Sequence, residues 1–383
     1  MNPHDTLVYF ETRLESIVGS IREIVDIESP SHDPAHSRQA VDWVERQALA
    51  TGVDVSIERV SVDDGDHIII RAFPGEGRHT LVLGHTDTVH PVGTNAKNPT
   101  RIEGDLFYGC GIFDMKANIV LMFEALRYFA ATGTAPSRPI TILLSCDEEV
   151  GSHTGRELVE RESENSGACL VIEPSSDGRL KTGRKGTGQF TLRAHGVPAH
   201  AGLEPDKGAN AIFELARQIP TIHAMAMPEI GTTVNVCTIT GGTTSNVIPD
   251  RAECEVDVRF SRMSEAVRVE TAFAALSAHD ERVSLEVLGG INRPPLERTD
   301  EVVAFYLKAK GLAASFDYEL GETQVGGASD GNFVAALGVP ILDGLGITGA
   351  GAHMLSEHIL VSDIAKRATL ITLLLQNGVN PSP

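Results

Sequence analysis

Nothing in this chain pairs its cysteines: Cys110, Cys146, Cys169, Cys237 and Cys254 are odd in number, widely spaced and form no C-x-x-C. That excludes a disulfide framework or a structural zinc knuckle and suits reduced thiols in a cytoplasm. Long apolar runs are also missing, and no stretch approaches the roughly 20 residues that a membrane span requires. The opening MNPHDTLVYFETRLES lacks the basic start and apolar core of a secretory leader, so a cytoplasmic location is the expectation. Positive charge is scarce, with 32 basic residues against 52 acidic ones and a formal net charge of −20. Such a surface opposes nonspecific attraction to nucleic acid or a membrane, which leaves small molecules as the expected partners.

At 383 residues the chain exceeds what one hydrophobic core usually serves, and its 42% apolar content suffices for globular packing, so two domains are expected. Leu7, Phe10, Leu14, Ile17, Ile21, Ile24 and Val25 recur at helical intervals and predict one amphipathic helix over about 6–28, ended by Ser29-Pro30-Ser31. Compact apolar runs at 67–73, 80–83, 140–145 and 168–172 alternate with helical stretches such as 115–132. That rhythm predicts an α/β fold, a mixed and mostly parallel sheet flanked by helices. From about Gly186 the texture changes to strands at 189–194, 233–240, 254–260 and 283–288 with a helix at 209–218. This reads as an inserted α+β domain over 186–294, between catalytic segments 1–185 and 295–383, with Arg293-Pro294-Pro295 at its end.

Polar residues fall just past the ends of the apolar runs. His85 follows Leu81-Val82-Leu83, Glu148 and Glu149 follow Ile142-Leu143-Leu144, and Glu173 follows Leu170-Val171-Ile172. The carboxyl edge of an open α/β sheet is where ligands bind, so separate strands deliver these groups to one rim. Asp114 and His353, the latter expected in the loop after Pro340-Ile-Leu-Asp343, complete a set of imidazole and carboxylate donors suited to two divalent ions: His85 and Glu173 on one, His353 and Glu149 on the other, Asp114 between. Zinc, cobalt and manganese all accept this mixture. Metal coordination brings the pKa of water toward about 7, and a second ion clamps a developing oxyanion. Glu148, beside a ligand, is the candidate general base, and Asp87, two residues beyond His85, is placed to fix the imidazole tautomer.

Each segment alone has an ordinary alternative: Asp147-Glu148-Glu149 as a solvated turn, His85 and His353 as loop histidines with competitors in His90 and His358. Their conjunction at strand ends favours a site. A rival chemistry lies in Gly327-Ala-Ser329-Asp-Gly331, a G-x-S-x-G followed by Asp343 and His353 in serine-hydrolase order. The approach to it, Glu322-Thr-Gln-Val-Gly-Gly327, is polar and glycine-rich instead of a strand, so Ser329 reads better as part of a substrate-binding turn.

In order along the chain, GHTDTV, GCGIFDMK, the Asp-Glu-Glu triplet, VIEPS, PAHAG, SNVIPD with DVRF, GGASD and GAHM resemble the motifs of the di-zinc amidohydrolases that include glutamate carboxypeptidase, aminoacylase, acetylornithine deacetylase and succinyl-diaminopimelate desuccinylase. The resemblance spans nearly the whole chain. It implies two zinc ions per subunit on the ligands named, Glu148 as base and acid, and an inserted domain that serves as lid and dimer interface. It also implies that His200 reaches the partner's active site in a homodimer. The likeness to glutamate carboxypeptidases implies substrate contacts from Lys181, Asn246, Arg259 and Arg293, cations suited to a free carboxylate. Cys110, Phe113 and the Ser329-Asp330 pair depart from the commoner family residues, and none is a proposed ligand. The expected activity is hydrolysis of an N-acyl amino acid or of the last peptide bond before a carboxyl-terminal residue, with glutamate as the expected leaving residue. A biosynthetic deacylase of acetyl or succinyl groups, or a catalytically silent binding dimer, are the alternatives, and no ligand or base is missing as the silent form requires.

Overall fold

The computed structural model describes residues 2–378. The described residues divide into two compact units, one of 2–182, 298–324 and 329–378, the other of 183–297 with the short segment 325–328. In chain order the strands used below are β1 (Val55–Val62), β2 (Gly65–Ala72), β3 (His79–His85), β4 (Ile140–Ser145), β5 (Ser166–Val171), β6 (Gly186–His195), β7 (Thr233–Gly241), β8 (Arg251–Phe260), β9 (Ser284–Arg293) and β10 (Ile341–Leu342).

The first unit is built on a six-stranded sheet ordered β1-β2-β4-β3-β5-β10. β1, β2 and β4 pair antiparallel, whereas β4, β3, β5 and β10 run parallel. β3 and β4 are buried along their whole length, as strands covered on both faces must be, and this is why they read as continuous apolar runs and not as alternation. Helices α1 (Pro3–Thr12), α2 (Leu14–Asp26), α3 (Pro34–Leu49) and α4 (Ala117–Thr132) pack with this sheet in one core holding Phe10, Ile21, Trp43, Ile70, Val82, Phe123 and Ile142. The single helix expected over 6–28 is two, because Arg13 leaves helical geometry at φ −100°, ψ 0°. Its guanidinium binds the buried Glu124 carboxylate of α4 at 2.7 and 3.1 Å, and together with Arg127 at 2.7 Å satisfies that carboxylate.

In the second unit, β7-β8-β6-β9 form an antiparallel sheet. Burial alternates along β6 and β8, the period-two signature of a sheet with one covered face. Phe190, Leu192, Val256 and Val258 fill that face beneath helices Ala211–His223 and Met263–Ala274. The expectation had 186 and 294 as the bounds of this region and no contribution from 325–328. Among the described residues no helix is long and apolar enough to cross a membrane.

Ile142 lies on β4, opposite Ile70 of β2 and Val82 of β3, and is 1% exposed. Ile142→Ala should therefore cost about 2–5 kcal/mol, measured as a lowered urea midpoint with an unchanged transition slope.

Candidate metal centre

Three adjacent parallel strands end at one rim of the first unit. β3 stops at His85, β4 is followed by the Asp147-Glu148-Glu149 turn, and β5 is followed by Ile172 and Glu173. His85 is 1% exposed. Its Nδ1 lies 3.0 Å from the Asp87 carbonyl oxygen and 3.4 Å from Asp87 Oδ1. With Nδ1–H donated there, the Nε2 lone pair faces outward, 3.3 Å from Asp114 Oδ1 and 3.5 Å from Glu173 Oε1.

Asp87 does more than orient this ring. Its carboxylate accepts Glu148 N–H at 3.2 Å, Glu149 N–H at 3.1 Å and the Ser31 hydroxyl at 2.7 Å. Burial pushes its pKa up more strongly than any other single influence, yet His85 and these donors together hold it below the usual carboxylate value. One buried anion thus positions His85 and the acidic turn at once. Asp147 serves that turn differently, since its Oδ2 accepts Thr154 N–H and O–H at 2.7 Å each and Gly155 N–H at 3.2 Å.

Asp114 and His353 come from loops. Asp114 lies between Gly111 and the start of α4, and His353 lies in the turn between short strands Gly349–Ala350 and His358–Leu360, beyond the loop expected for it. His353 adopts φ +66°, a left-handed conformation that non-glycine residues seldom occupy. The loops are tied together by Glu357, a residue the sequence reading missed. Its buried carboxylate accepts Gly111 N–H and Phe113 N–H at 2.8 Å, Asp114 N–H at 2.9 Å, and contacts His90 Nε2 at 3.0 Å. His90 is therefore engaged here, and His358 Nδ1 lies 2.8 Å from the Ser356 carbonyl oxygen; both competitors stand apart from the cluster. The only signal for Glu357 was an acid four residues after His353.

Asp114 uses its two oxygens in opposite directions: Oδ1 toward His85, and Oδ2 toward His353 Nε2 at 3.6 Å. His353 Nε2 is also 3.2 Å from Glu149 Oε2. Candidate donor atoms of His85, Asp114 and Glu149 lie within 4.8 Å of one another, as do those of His85, Glu148 and Glu173. Glu149 Oε1 is buried and has no hydrogen-bond partner among the described residues. An unmatched buried carboxylate oxygen among imidazoles and other carboxylates is a cation-seeking group, so the donor set fits divalent metal.

The electrostatics of the metal-free cluster agree. Burial depresses the His85 pKa most, but bonds to Asp114, Asp87 and Glu173 outweigh it and raise the net value well above that of a free imidazole. Asp114 and Glu149 lift His353 to about 10. Asp114 is pushed up by burial but is held far below the usual carboxylate range by His353, His85 and, more weakly, Lys181.

The remaining expected site residues fall into two groups. Lys181, in the first unit, is 9% exposed, and its N–H is donated to the Asp343 carbonyl oxygen at 2.9 Å. Ser329 is fully buried, its hydroxyl donates to Asp343 Oδ2 at 2.8 Å, and Gly331 N–H reaches its Oγ at 3.2 Å, so it braces the turn that carries it. No imidazole stands between Ser329 and Asp343, so the serine-hydrolase order is not realised as a triad. In the second unit a two-residue ladder pairs His200 with Val247 and brings PAHAG beside SNVIPD, with Ala201 N–H donated to the Asn246 carbonyl oxygen at 2.9 Å. His200 is exposed, and its Nδ1 accepts Gly202 and Leu203 N–H at 3.2 and 3.1 Å. Arg259 and Arg293 flank Thr187 from either side in the sheet register. Arg259 is engaged with Asp257 at 2.8–3.1 Å.

A parallel sheet that delivers buried imidazole and carboxylate donors to one rim defines the chain as a metal-dependent hydrolase. It belongs to peptidase family M20/M25/M40, whose model matches residues 81–377. Carboxypeptidase G2 of Pseudomonas sp. is 27% identical over 381 residues, covering 94% of this chain and 89% of the relative. Succinyl-diaminopimelate desuccinylase of Delftia acidovorans is 31% identical over 315 residues, covering 77% and 80%. Aminopeptidase PepT of Bacillus cereus superposes with a TM-score of 0.76 at 22% identity over 95% of this chain and 98% of that one, which shows the fold.

Two outcomes follow from the geometry. Because the surrounding carboxylates raise both imidazoles above their ordinary pKa, metal loading should release about one proton per ion held, and apparent affinity should rise with pH from 6 to 8; pH-stat titration with zinc measures both. Glu357→Gln, which removes the anion from three backbone donors, should weaken metal binding about 10- to 100-fold, scored by competition with a chelating dye.

Proposed function

We propose that the protein is a cytoplasmic, homodimeric di-metal amidohydrolase that cleaves N-acyl amino acids or the last peptide bond before a carboxyl-terminal residue, with glutamate the expected leaving residue. The observation that carries this reading is Asp114, whose two oxygens face His85 Nε2 at 3.3 Å and His353 Nε2 at 3.6 Å. A carboxylate so placed suits a bridge between two divalent ions, with His85 and Glu173 on one side and His353 and Glu149 on the other. Zinc is the expected metal, and cobalt or manganese would suit the same donors. When bound, the pair supplies Lewis acidity, acidifying water and offsetting charge that develops on the scissile carbonyl oxygen.

The chain's own groups account for the rest. Asp87 keeps the His85 Nδ1–H donated inward, so Nε2 would be the atom available to hold metal. Glu148 is held at the rim by its own N–H on Asp87 Oδ1. There its carboxylate takes a proton from the attacking water and returns it to the amide nitrogen as the bond to the acyl carbon breaks. The products are a free acid and an amine. Lys181, Asn246, Arg259 and Arg293 are the proposed contacts for the substrate's free carboxylate, and His200 is proposed to polarise the carbonyl in the partner's site. Likeness to a carboxypeptidase along nearly the whole chain supports this reading. Likeness to a desuccinylase keeps a biosynthetic deacylase as the second.

Glu148→Gln should retain the full metal content while kcat falls by about 10²–10⁴, and chelation of the wild type should abolish turnover. Metal analysis beside amino-acid release from N-acyl glutamates checks both, and a Gln variant that still turns over would remove Glu148 as the base.

A further inference from the structure

A cavity of about 540 Å³ opens beside Glu149 within the first unit. Pro30, Val89, Pro91, Val92 and Val150 give it an apolar wall, and Val89 and Val92 keep 39% and 48% of their surface exposed. Exposed valines next to a candidate metal ligand bury their surface only when something else fills the space.

The walls are fixed in place. Thr88 N–H donates to the Ser29 carbonyl oxygen at 2.9 Å and Ser31 N–H to the Thr88 carbonyl oxygen at 3.2 Å, zipping the two loops together. The Glu28 carboxylate accepts Gly93 and Asn95 N–H at 2.7 Å each, pinning the far side. A pocket built in advance costs little ordering when it is filled. Its charge is one-sided, since no lysine or arginine lines it. The Asp33 carboxylate accepts His36 N–H at 3.1 Å and lies 2.9 Å from His36 Nδ1, and the His32 ring is already engaged with Asp64 at 2.9 Å. Size and lining point the same way: pockets of roughly 300–1,000 Å³ suit ligands much larger than an acetyl group, and a carboxylate at the far end of an acyl group would find no lysine or arginine here to pair with.

We propose that this cavity is the subsite for the acyl or peptidyl side of the scissile amide and that it selects a bulky, uncharged apolar or aromatic group over succinyl. The inference rests on the hydrolase reading above and decides between its two substrate classes. The test compares kcat/KM of zinc-loaded protein on N-benzoyl-, N-acetyl- and N-succinyl-L-glutamate, in wild type and in Val92→Lys and Val92→Ala. Wild type should prefer benzoyl over succinyl by at least about tenfold. Val92→Lys should lower that ratio about tenfold, and Val92→Ala should lower it less. Cleavage with succinyl preferred, or a ratio unmoved by Val92→Lys, overturns the subsite while leaving the hydrolase reading intact. Absence of cleavage from all three overturns that reading instead. Calorimetric affinities of the same compounds then judge the pocket alone: tighter benzoyl binding weakened by Val92→Lys upholds it, and equal affinities reject it.

Discussion

Negative charge is concentrated at one rim of the sheet, and the site depends on how that charge is held. Asp87, Asp114, Glu149 and Glu173 gather around His85 and His353 at separations of 3.2–3.6 Å between imidazole nitrogen and carboxylate oxygen. Like charges about 4 Å apart repel by about 4 kcal/mol even at an effective dielectric of 20, so such a cluster persists only against cations. The carboxylates favour positive charge on the imidazoles, and His353 is accordingly raised to about 10 by Asp114 and Glu149. A divalent ion would answer the same crowding of negative charge.

Holding so much charge steady requires anchors away from it. Asp87 ties His85 to the Glu148-Glu149 turn, and Glu357 ties the loop of Asp114 to the turn that carries His353. Each is a buried carboxylate that accepts several backbone N–H groups, strong charge-assisted bonds that fix the loops they join. The strands bring three of the site's segments to one edge because parallel neighbours end together. The loops need Glu357 because no ladder aligns them.

This difference explains what was legible in the sequence. His85, Glu149 and Glu173 could be located because each follows an apolar run whose strand ends at a common edge, and the α/β class followed from the same runs. His353 was placed one segment too early, since short strands such as Gly349–Ala350 leave no periodic trace. The break between the first two helices falls at Arg13, whose partner Glu124 lies 111 residues away, and nothing local announces that contact. Ser329 sat in a suggestive motif, yet its role was set by Asp343, a partner visible only once the chain was folded. Glu357 escaped for the same reason, as its ligands are backbone amides.

Two metal ions held on either side of Asp114 are the centre of this account. Anomalous diffraction at the zinc absorption edge from crystals of zinc-loaded protein tests that directly. The account predicts two peaks about 3.5–4 Å apart with the Asp114 carboxylate between them, one beside His85 and Glu173, the other beside His353 and Glu149. A single peak, or a pair that leaves Asp114 unbridged, would contradict it.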